Sequence, residues 1–362
     1  MSKNSHGADL YDISKKYGFS IDEIKDFSSN INPFGPSRLA MKTVAENPQK
    51  AAIYPDADYL DLRRAIAEYS GALQDNILLA SGASGFIKAL TAFFEPQRAL
   101  IYAPTYSEYE KELSKVSDKI FYYDLVKEDQ FMPDVDKLTA LIKAQNISFV
   151  LICNPNNPTG SILTRVQTEK LLCLKNTIFV IDETYVEFSD IDTYSSAALT
   201  DRYENLFIIR STSKFFAVPG IRLGYLITGN SEYKKAYLEK DMLIWDINIF
   251  AQIMGEVMFL DTAYQEKVHK FVKNQRKLIY ARLSKLKNIK LYPSKSNFLL
   301  AEIVDGTHTA PELREYLLKK AMVIRDCSSF KNLNDKFFRL CILSEDDNQN
   351  LMRQIEAFFA KG

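Results

Sequence analysis

Between Ile77 and Thr228, short and nearly continuous apolar runs alternate with stretches in which apolar side chains return every three or four residues. The runs cover Ile77 to Ala80, Ala99 to Tyr102, Phe149 to Cys153, Thr177 to Ile181, Leu206 to Ile209 and Leu223 to Thr228. Most are bounded by turn residues, the pattern of strands buried on both faces. The helical stretches cover Leu60 to Tyr69, Phe86 to Phe94, Val135 to Ala144 and Gln167 to Leu174. Such alternation predicts an α/β domain built on a mainly parallel sheet.

The pattern changes after about Ser231. Long charged helices run through Lys287 and are followed by strand-like runs near Phe298 to Ile303, Met322 to Ile324 and Phe337 to Ile342, then a closing helix. This predicts a smaller α+β unit. The Asn/Pro/Gly-rich "SSNINPFGPS" near the start reads as a loop laid over something rather than a strand. The expected division is a large domain over residues 36–240, with residues 1–35 and 241–362 forming an N-terminal arm and a small domain. No repeat, low-complexity tract or linker separates them, so tight packing with a site between them is expected.

At 362 residues the chain exceeds one ordinary hydrophobic core, consistent with two units. Its 46 basic and 46 acidic side chains cancel, which argues against nucleic acid or an anionic membrane as partner. The four cysteines and three histidines are dispersed without ligand spacing, so neither a disulfide framework nor a metal site is expected. The polar N-terminus and the lack of a long apolar run predict a cytoplasmic protein.

Against that neutral background, four short stretches carry chemistry. In "STSKFFAVPGIRLGY", Lys214 follows a buried strand, beyond whose carboxyl end ligands collect in open α/β sheets. Burial or a cationic neighbour would make its amine a Schiff-base former; in isolation the same lysine is an ordinary surface charge. Ser211, Ser213 and Arg222 can hold a phosphate beside it through charge-assisted hydrogen bonds. In "FVIDETY", Asp182 ends an apolar strand, either capping the next helix or pairing with a cation such as a protonated pyridine nitrogen. In "CNPNNPTG", two Asn-Pro steps present the Asn157 amide at a fixed angle, suited to a ring phenolate oxygen. In "SGASGFIKAL", the backbone amides of Ala83, Ser84 and Gly85 open a helix directly after a strand and offer an anion cradle that is neither GxGxxG nor Walker A. Tyr106, in "APTYSEY", could stack on a planar cofactor.

In this order the motifs resemble those of the fold-type I pyridoxal 5′-phosphate enzymes, the large aminotransferase family, and the resemblance spans nearly the whole chain. It implies an α/β fold with a mainly parallel seven-stranded sheet and a smaller α+β domain. It also implies Lys214 as the cofactor's Schiff-base lysine, Asp182 at the ring nitrogen, Tyr185 and Asn157 at the ring oxygen, and Tyr106 against the ring. Ser84, Ser211, Ser213 and Arg222 would surround the phosphate, and Tyr54 of "YPD" would reach the phosphate of a neighbouring subunit in a homodimer.

Substrate contacts then decide the reaction. Arg339 in "FFRLCIL" is similar to the family's carboxylate-binding arginine, and Arg325 in "VIRD" to an arginine gripping a substrate phosphate. A surface ion pair of Arg325 with Asp326 is the plainer alternative. The N-terminal "HGADLYDISKKYGFSIDEIKDFSSNINPFGPS" resembles the entry segment of L-threonine O-3-phosphate decarboxylases, with Ala8 where those read a second Gly. Histidinol-phosphate aminotransferases, the next resemblance, usually carry Glu where this chain has Ile31. By that likeness His6, Gly7 and Asn30 would touch the substrate. The implied activity is decarboxylation of L-threonine O-3-phosphate or L-serine O-phosphate to an amino-alcohol phosphate for cobalamin biosynthesis. Transamination of histidinol phosphate or an aromatic amino acid is the alternative, and a non-catalytic binding protein a third.

Overall fold

The computed structural model describes residues 8–240 and 245–360. Its centre is a seven-stranded sheet in the order Ile77–Ala80, Gly224–Ile227, Leu206–Ser211, Ile178–Asp182, Phe149–Cys153, Arg98–Ala103, Lys119–Asp124. Only Gly224–Ile227 runs antiparallel to its neighbours. The three strands from Leu206–Ser211 through Phe149–Cys153 are almost wholly buried, as their unbroken apolar runs require.

Six of these strands are the apolar runs of the sequence, shifted by a residue at some ends. The seventh, Lys119–Asp124, is an edge strand with no fully buried residue. Its aromatics Phe121, Tyr122 and Tyr123 are half-buried, so no continuous apolar run marks it.

The second sheet has the order Arg325–Asp326, Phe337–Cys341, Phe298–Ile303, Ile289–Leu291 and is antiparallel throughout. The run expected over Met322 to Ile324 is divided. Met322–Val323 pairs in parallel with Lys25–Asp26 from the N-terminal arm, and the chain rejoins the four-stranded sheet only at Arg325. The arm is further tied down by the bond from Cys341 N to Phe27 O, at 2.9 Å. Before it, helix Leu10–Tyr17 buries Ile13 against Ile24, Leu318 and Val323, and the Tyr17 hydroxyl donates to Glu315 at 2.7 Å. Residues 27–37 then cross between the two sheets as a loop. Among the described residues, no helix is long and apolar enough to cross a membrane.

Candidate active site

The carboxyl ends of the parallel strands open into a cavity of about 400 Å³ that the arm and the second sheet close from the other side. Of the residues singled out in the sequence, Asn30, Ala83, Ser84, Tyr106, Asn157, Asp182, Tyr185, Ser211, Ser213, Lys214, Arg222, Arg325 and Arg339 all line it. Two others, Gly85 and Tyr54, do not. His6 and Gly7 lie outside the described residues. Gly85 sits one step below the rim, its N–H already donating to Gly82 O at 3.2 Å. Tyr54 lies on the outer surface, 73% exposed, its ring stacked on Trp245 at 4.0 Å.

One wall is built for an anion. Helix Ala83–Phe94 has no side-chain cap at its N-terminus, so the first amides face the cavity without one. The preceding Gly82 has φ +93°, and a Cβ there would collide with the Arg222 guanidinium. Gly224 lets the antiparallel strand press against the same turn, since its Cβ would strike the backbone of Gly82 and Ala83. The glycines bring Arg222 onto the helix N-terminus. Ser211 and Ser213 complete the wall, their hydroxyls 2.9 Å apart. Two hydroxyls, a guanidinium and open amides fit a phosphate dianion.

The floor is Asp182. It is buried, its Oδ2 accepts from the Tyr109 hydroxyl at 2.7 Å and its Oδ1 from Thr184 N–H at 2.9 Å. No helix begins there, so the capping alternative falls away. Burial raises its pKa despite these two bonds, and a protonated ring nitrogen would supply the counter-charge it lacks. Tyr109 was missed in the sequence because it sits one helical turn beyond Tyr106 and reads as core. The two rings meet edge to face at 5.4 Å.

Lys214 projects from above, its Nζ donating to Ser29 O at 2.7 Å. Burial, and then the Arg339 charge, lower its pKa to about 8. A sizeable neutral fraction at physiological pH follows, which is what a nucleophilic amine requires. The Tyr185 hydroxyl accepts from Asn30 Nδ2 at 3.3 Å, and burial raises its pKa, so it stays a phenol.

Two guanidiniums form the roof. Arg325 and Arg339 are directly paired across Arg325–Asp326 and Phe337–Cys341. Arg339 donates to Asn157 Oδ1 and to Ser28 O, which leaves the Asn157 Nδ2 as a donor. Its buried Nε has no hydrogen-bond acceptor among the described residues. Arg325 donates to Ser329 Oγ at 3.0 Å and lies over the Phe330 ring at 5.4 Å. Burial, and then the nearby Arg339, lower its pKa. The carbonyls of Ser28 and Ser29 that meet Arg339 and Lys214 carry no side-chain signature and could not be read from sequence.

The cavity has the parts of a pyridoxal 5′-phosphate site: an amine, a phosphate wall, and a carboxylate floor with no cation of its own. Comparison with known proteins agrees. The sequence family described as aminotransferase class I and II matches residues 22–355. A protein of Caldanaerobacter subterraneus, provisionally named a threonine-phosphate decarboxylase, is 33% identical over 100% of this chain and 96% of its own. The threonine-phosphate decarboxylase of Salmonella typhimurium is 28% identical over 96% of this chain and 95% of its own. Among solved structures, the histidinol-phosphate aminotransferase from Clostridium acetobutylicum is 31% identical, with a TM-score of 0.86 over 94% of this chain and 100% of that one. The chain therefore belongs to the class I and II aminotransferase family and is a pyridoxal 5′-phosphate-dependent enzyme of that fold.

Proposed function

We propose that the enzyme decarboxylates a small phosphorylated amino acid, L-threonine O-3-phosphate or L-serine O-phosphate, to the corresponding amino-alcohol phosphate of cobalamin biosynthesis. The observation that carries this reading is the pairing of Arg325 with Arg339 over the cavity. Two guanidiniums side by side over one cavity offer charge-assisted hydrogen bonds to two anionic groups. A substrate bearing both a carboxylate and a phosphate uses both, whereas histidinol phosphate carries a single anionic group.

When bound, pyridoxal 5′-phosphate supplies an electron sink in conjugation with the substrate's Cα. The protein's own residues do the rest. Ser84, Ser211, Ser213 and Arg222 would hold the cofactor phosphate, and Asp182 would keep a proton on the ring nitrogen. Asn157 and Tyr185 would donate to the ring oxygen, with Tyr106 against the ring face. Arg339 would hold the substrate carboxylate and so orient the bond that breaks. Arg325, with His6, Gly7 and Asn30, would hold the phosphate end. Lys214 Nζ, with its depressed pKa, would deliver the proton to Cα after carbon dioxide leaves. We also propose a homodimer in which the exposed Tyr54 reaches the neighbouring subunit's cofactor phosphate, and a large domain over residues 36–240.

Transamination of histidinol phosphate is the second reading, supported by the solved relative from Clostridium acetobutylicum. The test is to incubate purified holoenzyme with O-phosphothreonine and no 2-oxo acid. Stoichiometric carbon dioxide and 1-amino-2-propanol phosphate are expected; an absolute requirement for 2-oxoglutarate overturns the decarboxylase reading. Phosphoserine belongs in the same panel, since one methyl group is worth only about 1–3 kcal/mol in a pocket.

A further inference from the structure

A second cavity of about 510 Å³ adjoins the first and shares Tyr106, Arg325 and Phe330 with it. Residues that line both cavities stand between them. Of the three, Tyr106 follows the large-sheet strand Arg98–Ala103 as the N-cap of helix Ser107–Leu113, and Arg325 belongs to the small sheet. Phe330 comes from a loop, residues 327–334, that reaches from the small sheet toward the edge strand Lys119–Asp124.

That loop is held on both sides. Within itself it makes two tight turns, Phe330 N to Cys327 O at 3.0 Å and Leu333 N to Phe330 O at 3.1 Å. Across the gap, Asn332 Nδ2 donates to Asp124 Oδ1 at 2.6 Å, and Lys331 Nζ sits 3.4 Å from the centre of the Tyr122 ring. Tyr122 is in turn fixed by its hydroxyl bond to Glu110 at 2.7 Å. The Phe330 ring is only partly buried, and the Arg325 guanidinium lies over it. One side of the ring packs against the main core and the other meets a cavity-lining arginine, so the loop holds Phe330 as a wall between the two cavities.

We propose that Phe330 is the specificity-determining partition of this site, limiting the substrate to phosphorylated amino acids with a short side chain by closing the catalytic cavity off from its neighbour. This deepens the decarboxylase reading and rests on it for the natural substrate. Removing the ring joins the two cavities, so the site admits longer phosphorylated amines such as histidinol phosphate, whose imidazole needs the extra room.

The experiment titrates holoenzyme with 1-amino-2-propanol phosphate, which carries no carboxylate to lose, and with histidinol phosphate, following binding by calorimetry, for wild type, Phe330→Ala and Phe330→Leu. The expected result is a change of at least tenfold in the ratio of the two dissociation constants toward histidinol phosphate in Phe330→Ala. Phe330→Leu, which retains bulk, should stay near wild type. Equal weakening of both ligands in Phe330→Ala, or an unchanged ratio, overturns the partition. Should wild type itself prefer histidinol phosphate while the ratio still moves on truncation, the partition stands and the decarboxylase reading fails. If Phe330→Ala is unstable, Asp124→Ala releases the loop from the outside and should move the ratio in the same direction; no movement there counts against the proposal.

Discussion

Two groups of charge flank the carboxyl ends of strands Ile178–Asp182 and Leu206–Ser211, one fully buried and one only partly so, and they are built oppositely. Beneath the site, Arg210 and Glu183 are fully buried and paired at 2.9 Å, with Ser195 joining the Arg210 guanidinium at 2.7 Å and the Ser196 amide meeting Glu183 at 2.6 Å. Glu187 stands 3.6 Å from the same arginine. Above, Lys214, Arg325 and Arg339 face one cavity, and the acceptors given to Lys214 and Arg339 are mainly neutral carbonyls. The lower group is paired mainly within itself, although Arg210 Nη1 and both Glu187 carboxylate oxygens make no hydrogen bond among the described residues, and it serves as scaffold: Glu183 follows Asp182, and Arg210 precedes Ser211. In the upper group, Lys214 and Arg339 meet neutral carbonyls rather than carboxylates, which suits a binding site for anions.

The largest break in this comparison comes from Lys214→Ala. Turnover should fall below detection, and borohydride reduction followed by peptide mapping, which should label position 214 in wild type with a pyridoxyl group, should find none there in the variant. Next is Arg339→Gln. Loss of a buried substrate-facing charge is expected to cost about 2–5 kcal/mol in kcat/KM, measured with phosphothreonine, with little change in thermal stability.

In the closed group the effect should invert. Arg210→Met strands Glu183 without its cation and should lower stability by about 3–5 kcal/mol in chemical denaturation. The double change Arg210→Met with Glu183→Leu should recover most of that loss. Tyr109→Phe removes one bond to the Asp182 carboxylate, worth about 1.5–3 kcal/mol to a charged acceptor, and should lower kcat/KM by about tenfold or more.

The two groups also oppose each other in the pH dependence of the cofactor-free protein. Burial, only partly countered by Arg210, pushes Glu187 up to about 7 from 4.5. The folded state then holds the proton more tightly, and this group's contribution to stability is lost as pH rises through that interval. Lys214 is lowered from 10.5 to about 8, so the unfolded chain binds more protons between those values and stability rises with pH there. Urea denaturation from pH 5 to pH 10 should show both limbs, with Glu187→Gln removing the acid one and Lys214→Met the alkaline one.

The two groups also differ in how far the sequence exposes them. The upper one was legible in two ways: Lys214 stands out because it directly follows Ser-Thr-Ser after a buried strand, whereas Arg325 and Arg339, the latter in mid-strand, were assigned only by family resemblance. The lower one was not. Glu183, Glu187 and Arg210 look like ordinary charges until the fold buries them against one another. The same holds for Tyr109, whose spacing from Tyr106 reads as helix core, and for Ser28 and Ser29, which act through backbone carbonyls. The central strands were legible from unbroken apolar runs. Lys119–Asp124 escaped because an edge strand buries too little to leave that mark.

The central claim is that the two guanidiniums above the cavity divide two anionic groups of one substrate between them. It is tested most directly by measuring KM for phosphothreonine and inhibition constants for threonine and 1-amino-2-propanol phosphate with wild type, Arg339→Gln and Arg325→Gln. The account predicts that Arg339→Gln weakens the two ligands with a carboxylate and spares the amino-alcohol phosphate, and that Arg325→Gln weakens the two with a phosphate and spares threonine. Equal losses across all three ligands in both variants would contradict it.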